Sequence, residues 1–486
     1  MRLLILFMTA LLLFVGCSNK DVASGKNSLA IPPIIDTNSG NIANLVLKKG
    51  KHQFYPGVKS DTMGFNGSYL GPTIRLHKGS NAKIRFTNKI GEDTSIHGHG
   101  LHVNGDIDGG PQQVIKPDTT WEIEIPVQQE AGTNWYHPHL MGKTAKHVHA
   151  GLAGLYFIED ENSESLNLPN IYGVNDIPLV IQDRSFTNGK MDVYYITREE
   201  MMDGLMEDTL VTNGTVNPYH IAPKGWVRLR LLNGSNARFY RFYLNNKESF
   251  YKIATEGGFL DKPVLLDSLT MAPGERNEIM IDLSHIETIH LMADFLPADP
   301  EDSSFFMDWF NKKSSVVEIR TNSSLVAQGI LPKKLNSIDF FTQSDKARAV
   351  VRELHLDMED GDDVGEENAM NINDMHSMFS INGKSMDIKR IDEKVNKGDL
   401  ELWRITADMM PHPFHMHGVS FLILKYNGQQ PVEADRGWKD TVVVTEKPTE
   451  VLMRFNHVSN KKTPYMYHCH ILDHEDGGMM GQFTVQ

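Results

Sequence analysis

Residues 465–480 read YMYHCHILDHEDGGMM, and few arrangements of a chain can satisfy that string. In an extended strand the period of two sends His468 and His470 to one face and Cys469 to the other, so one tripeptide addresses two sites. On the cysteine side His474 and Met479 follow, around a turn that Gly477 and Gly478 allow. Thiolate, imidazole and thioether are the donors of a blue copper centre, which needs one further histidine. The segment 411–418, PHPFHMHG, is where that histidine is expected. The competing reading is a free core cysteine with histidines nearby. Five ligand-type residues within positions 468–479 weigh against it.

Three more His-x-His pairs occur: His97 with His99, His137 with His139, and His415 with His417. Histidines two apart in an extended segment sit about 6–7 Å apart, a poor fit to one metal and a good fit to two neighbouring ones. One such pair would read as a zinc site or a surface accident. Four pairs from the two ends of the chain can surround a cluster, and eight imidazoles divided three, three and two leave positions open for dioxygen. His147 and His149 form a fifth pair with no ligand slot, for which a surface or copper-entry role is the expectation.

At 486 residues the chain exceeds one hydrophobic core. Short alternating stretches dominate it. Ile74 and Leu76, a turn at Lys78 and Gly79, then Ala82, Ile84 and Phe86 predict two strands, and no long amphipathic helix is visible. Asn66-Gly67, Asn213-Gly214 and Asn382-Gly383 are each followed, 12, 11 and 15 residues later, by Lys-Gly and a strand-like run. Chance recurrence of common turn pairs is the alternative; three copies in register favour an internal repeat of one all-β sandwich unit. Domains are expected over 41–165, 166–335 and 336–486.

Only Cys17 and Cys469 are cysteines. The apolar run of residues 3–15 after Arg2 has the shape of a secretory h-region, and Phe14-Val15-Gly16-Cys17 resembles a bacterial lipobox. The expectation is a signal peptide over 1–16, lipidation of Cys17, and a polar irregular tether over 17–40. That implies a membrane-anchored lipoprotein of the bacterial cell envelope, facing the periplasm, in the outer membrane because Ser18 is not Asp. Simple signal cleavage is the alternative. Cys469 is then the sole thiol of an exported chain, a liability unless a metal occupies it. The net charge of −14 argues against nucleic acid as a partner and suits a cationic substrate. A monomer is expected.

On these residues the chain resembles the bacterial three-domain multicopper oxidases, in their copper efflux oxidase and laccase-like group. The resemblance spans nearly all of the chain after the leader. It is carried by TSIHGHGLHV, DGGPQ, WYHPHLMGKTAKHVHAGLAG, IPLVIQDRSF, GWVRLRLLNGSNAR, DMMPHPFHMHG and YMYHCHILDHEDGGMM. It implies three consecutive cupredoxin-like Greek-key β-sandwich domains and four copper ions. His412, Cys469, His474 and Met479 would hold the type 1 ion in the third domain, and His97 and His415 the type 2 ion. His99, His139 and His468, with His137, His417 and His470, would hold the type 3 pair between the first and third domains, their division between its two ions left open. The implied activity is one-electron oxidation of a reducing substrate coupled to four-electron reduction of O2 to water. Asp108 and Glu475 occupy the proton-supplying positions, each alternatively an acceptor that fixes a histidine tautomer. Gly98 stands where the family usually has Trp and is expected to loosen packing at the cluster.

Segment 356–380 carries seven carboxylates between Asp357 and Glu367, with Met358, Met370, Met375 and Met378. Thioethers suit Cu(I) and carboxylates attract cations. By the resemblance, Met358, Asp408 and Met410 are substrate-copper residues, and cuprous oxidation for copper tolerance is the expected activity. A laccase-like oxidase of phenols or other metal ions, and a non-catalytic copper-binding or storage protein of the envelope, are the alternatives. A solvated acidic loop is the competing reading of the segment itself.

Overall fold

The computed structural model describes residues 25–296, 312–358 and 378–486. Three times along the chain the same strand arrangement recurs. A first strand (Ile42–Tyr55, Asp176–Arg184, Val350–Met358) runs parallel to a second (Asn81–Lys89, Trp226–Asn233, Leu400–Ala407). The second pairs antiparallel with a third (Thr120–Pro126, Arg276–Asp282, Thr449–Arg454). Each such sheet packs on another to enclose its own apolar core. The fold is all-β, three cupredoxin-like sandwiches in series, and every helix among the described residues has six residues or fewer. The alternation read at 74–86 lies in strands Thr73–His77 and Asn81–Lys89, with Ile74, Leu76, Ala82, Ile84 and Phe86 all buried.

The repeated Asn-Gly pairs have a common structural cause. Asn66, Asn213 and Asn382 adopt φ of 60°, 50° and 54°, a left-handed conformation that asparagine tolerates better than most residues. Each side chain then brackets the first strand of its unit. The amide of Asn66 donates to the Asn44 carbonyl while its oxygen accepts from Val46 N–H. Asn213 does the same to Pro178 and Val180, and Asn382 to Glu353 and His355.

The irregular tether expected over 17–40 needs correction from residue 25 onward; residues 1–24, including Cys17, lie outside the described residues. Asn27–Ser28 pairs in parallel with Pro218–Tyr219 of the second sandwich, and Ile34–Asp36 pairs with Thr73–Arg75 of the first. Leu29 is buried in the second core, with Ile31 packed against it. These apolar residues, scattered in a polar stretch, gain more from completing two sheet edges than from staying in water.

Asn213 is 5% exposed and its amide also donates to Ala30 of the N-terminal segment. Asn213→Ala is therefore expected to lower stability by about 2–4 kcal/mol, from lost buried hydrogen bonds and a strained φ. Asn66→Ala, at an exposed copy of the same bracket, should cost about half as much; thermal unfolding of both variants measures the difference.

Candidate metal centre

Two ladders, one in the first sandwich and one in the third, carry the paired histidines to a common interface. Strands Ile96–His99 and Gly132–Pro138 put His97 opposite His137, and strands His412–Met416 and Tyr465–Cys469 put His415 opposite His468. Within the four pairs, ring centroids lie 5.8, 6.0, 5.1 and 5.7 Å apart. The two sets interleave: His97 stacks on His417 at 3.7 Å and His99 on His415 at 3.6 Å. All eight rings are buried.

Hydrogen bonds to carbonyls fix the tautomers, because a carbonyl only accepts. Nδ1–H of His97 donates to Asp108 O, of His415 to Asp440 O, of His137 to Pro138 O and of His468 to Cys469 O, each at 2.8 Å. Their Nε2 atoms are thus lone-pair donors aimed inward, and those of His97, His137 and His415 have no partner. His99, whose Nε2–H donates to Asp440, leaves its Nδ1 unpartnered, and both nitrogens of His470 are unpartnered. Nε2 of His468 lies 3.2 Å from that of His139 and 3.3 Å from that of His417. Three ring nitrogens converging this closely in a dry site are placed to share one cation. A triangle of that size has its centre about 2 Å from each corner, an ordinary imidazole–metal bond length.

Two triads that share no ring, His99, His137 and His470, and His139, His417 and His468, leave His97 and His415 as a pair, which itself lies close to His417. The donor set fits three copper ions, two with three imidazoles and one with two. Burial, and then neighbouring imidazoles, push His99, His137, His139, His417 and His470 well below the usual histidine range, so they stay neutral and able to bind metal.

Two aspartates occupy pseudo-equivalent places. Asp108 offers its carbonyl to His97 of its own sandwich and a carboxylate oxygen, at 2.8 Å, to His417 of the third. Asp440 offers its carbonyl to His415 of its own sandwich and a carboxylate oxygen, at 3.1 Å, to His99 of the first. Sequence reasoning found Asp108 and missed Asp440, which no local motif marks. Arg276 of the second sandwich grips Asp440 at 2.7 and 2.6 Å. Burial alone would raise the Asp440 carboxyl, but Arg276 holds it well below the carboxylate range. Gly100, at φ 85°, lets the pair close: a Cβ there would lie 2.3 Å from Arg276 and 2.8 Å from Asp440. Asp108 has no such partner and one of its oxygens is unpaired. Glu475 is buried with both oxygens unpaired, 3.3 Å from Nδ1 of His139 and of His468. Burial, then Asp476, raises its carboxyl well above the usual range.

The second site lies behind the same strand. Cys469 Sγ is 3.4 Å from His412 Nδ1 and 3.7 Å from His474 Nδ1, and the two nitrogens are 3.3 Å apart. That near-equilateral triangle suits a trigonal copper ion. Met479, fully buried in the same core, is tied back by its own carbonyl to Cys469 N–H at 3.1 Å. Ile471 N–H donates to the sulfur, and Phe379 stacks on His474 at 4.6 Å. Burial pushes the Cys469 thiol far up, so a bound cation is what would make it a thiolate.

Two expectations change. His147 and His149 are buried on helix Thr144–His149, not at the surface: Nδ1 of His147 bonds Thr94 and Nε2 of His149 bonds Glu207, while Nε2 of His147 has no hydrogen-bond partner. Gly98 leaves no gap, because a Cβ there would lie 2.7 Å from Leu101 Cδ1; that buried leucine fills the space.

Family profiles described as multicopper oxidase match residues 47–163 and 361–486. The chain is 39% identical over 478 residues to the multicopper oxidase mco of Staphylococcus aureus, covering 96% of this chain and 94% of that one. It is 34% identical over 466 residues to the cell division protein FtsP of Escherichia coli, covering 95% and 93%. Among solved structures it is similar to a laccase-like multicopper oxidase from an Ochrobactrum species with oxidase activity towards lignin model compounds. That match has 36% identity, a TM-score of 0.82, and coverage of 94% of this chain and all of that one.

If Cys469 and the two triads bind as their geometry suggests, Cys469→Ser should abolish the charge-transfer band at ~600 nm while copper still loads at the eight-histidine site. Absorption spectra beside metal analysis of both proteins decide this, and a colourless but fully loaded wild type would count against the assignment.

Proposed function

The chain belongs to the multicopper oxidase family and is an oxidoreductase that uses oxygen as acceptor, and we propose that its reductant is the cuprous ion, oxidised in the service of copper tolerance. Bound copper would supply the redox chemistry: single electrons accepted at the Cys469 site and four of them delivered to O2, giving water, at the eight-histidine site. The chain supplies the rest. Cys469 is flanked in sequence by a histidine of each triad, so the main chain itself joins the two sites. Glu475 lies 3.3 Å from both His139 and His468, where it could take up and pass on a proton, and Asp108 holds His417 with one oxygen while the other stays free.

The observation behind the cuprous reading is a mixed cluster next to His412. Met358 and Met410 lie at the rim of the core, 8% and 9% exposed. The half-exposed Asp408 lies 3.1 Å from His355 Nε2, with Asp357 3.3 Å from the same nitrogen. Thioethers and carboxylates together on strand Val350–Met358 and the loop before His412 suit a soft cation better than a phenol. Met370 and Met375 lie outside the described residues. Similarity to a protein named for cell division makes a non-catalytic copper-binding role the second reading. An oxygen electrode separates the two, because only the oxidase consumes O2 when cuprous ion is added.

Asp408→Ala should lower kcat/KM for cuprous ion about tenfold, the worth of one contact to a charged group, without improving that for a bulky phenol. Equal losses on both would instead place Asp408 among residues that serve the site generally.

For location, the proposal is a lipid anchor at Cys17 holding the protein at the envelope. Cys17→Ala should move it from the membrane to the soluble fraction while its purified activity is unchanged. Recovery of the unaltered chain from the soluble fraction, unlipidated, would contradict the anchor.

A further inference from the structure

A segment of the second sandwich reaches across to the Cys469 site and grips the loop that carries His474. Tyr194 O–H donates to Asp473 Oδ1 at 2.5 Å, and Leu205 N–H donates to Asp473 Oδ2 at 2.7 Å. Between these anchors, His474 Nε2–H donates to the Met202 carbonyl at 3.0 Å. Helix Arg198–Asp203, started by a reciprocal cap between Thr197 and Glu200, sets the direction of that carbonyl. The first sandwich braces the same segment through His149, which bonds Glu207 at 3.0 Å and lies 5.6 Å from the Tyr194 ring. At Gly204, φ 76°, a Cβ would come within 2.4 Å of Ala237 and 2.6 Å of Ile471, so the segment is seated as closely as a chain can be.

With Nδ1 of His474 turned to Cys469, its Nε2–H is the one donor on that ring through which an organic reductant could hydrogen-bond to the site. Here that N–H is taken by a main-chain carbonyl, and His474 has no exposed surface. We propose that segment 194–207 of the second sandwich is the specificity-determining wall of the mononuclear site: it holds His474 in its Nε2–H tautomer and denies that N–H to organic reductants. A phenol would have to give up its electron across the wall and its hydroxyl proton to solvent. A small complex that transfers electrons without hydrogen bonding meets no such bar. The inference rests on reading His412, Cys469 and His474 as copper ligands.

Two variants of the copper-loaded full chain loosen the wall by different means. Tyr194→Phe removes the hydroxyl from Asp473, and Gly204→Ala wedges the segment off Ala237 and Ile471. In each, kcat/KM for a dimethoxyphenol divided by that for hexacyanoferrate(II) is expected to rise about tenfold, the worth of one buried hydrogen bond. The electron paramagnetic resonance splitting of the blue site should shift as His474 loses its fixed orientation. An unchanged ratio in folded Tyr194→Phe overturns the proposal, even if the unfolding midpoint falls, because the segment is then a structural brace only. Tyr194→Phe decides alone should Gly204→Ala fail to fold. A wild-type protein that loads copper yet shows no blue band would sink the ligand reading, which is a separate failure.

Discussion

Eight imidazoles buried against one another are the constraint to which the rest of the molecule answers. Each unpartnered nitrogen in a dry interior costs about 1–3 kcal/mol, so the arrangement is tolerable only if a cation repays it and if every ring is held at the right rotation beforehand. Carbonyls do most of the holding. Four rings are tied by Nδ1–H to main-chain oxygens of Asp108, Asp440, Pro138 and Cys469. A fifth and a sixth are tied by the carboxylates of Asp108 and Asp440, each reaching across to the opposite sandwich. The interface between first and third sandwiches and the metal site are therefore one set of contacts.

The second sandwich carries none of the proposed ligands, yet it governs both sites. Arg276 neutralises Asp440 and so lets that carboxylate stay charged in a buried place beside His99. Lys439, next along the chain from Asp440, is gripped at 2.9 Å by Glu256 and Glu275 of the same second sandwich. At the mononuclear site the contribution is geometric, through the Met202 carbonyl and the two anchors on Asp473. Removing a charge partner and moving a carbonyl are different perturbations, and the two sites depend on the second sandwich in those two different ways.

Local spacing made the ligand-type residues legible, and the Asn-Gly and Lys-Gly recurrence made the threefold repeat legible, because both are written within one strand or one turn. Asn66, Asn213 and Asn382 each need a left-handed backbone and a nearby strand edge, so the dipeptide survives wherever the unit is copied. The N-terminal segment was misleading for the opposite reason. Its composition is polar, and only the presence of two open sheet edges elsewhere in the chain turns Asn27–Ser28 and Ile34–Asp36 into strands. Gly98 misled similarly: the space it leaves is filled by Leu101, three residues on, through a turn whose shape composition does not encode.

The sequence alone determined which atoms were available: imidazoles two apart, a cysteine between two of them, a thioether ten residues later, in a chain of short alternating strands. Period-two geometry is a property of a single strand, so it needs no partner to be read. Tertiary structure decided which imidazoles share a triad, which nitrogen of each faces inward, and that Asp440, Arg276, Tyr194 and Met202 belong to the sites at all. Many of those facts depend on contacts between residues far apart in sequence, such as His99 with Asp440 at a separation of 341. A hydrogen bond across that distance leaves no periodicity in either segment, and only the docking of three cores brings its two ends together.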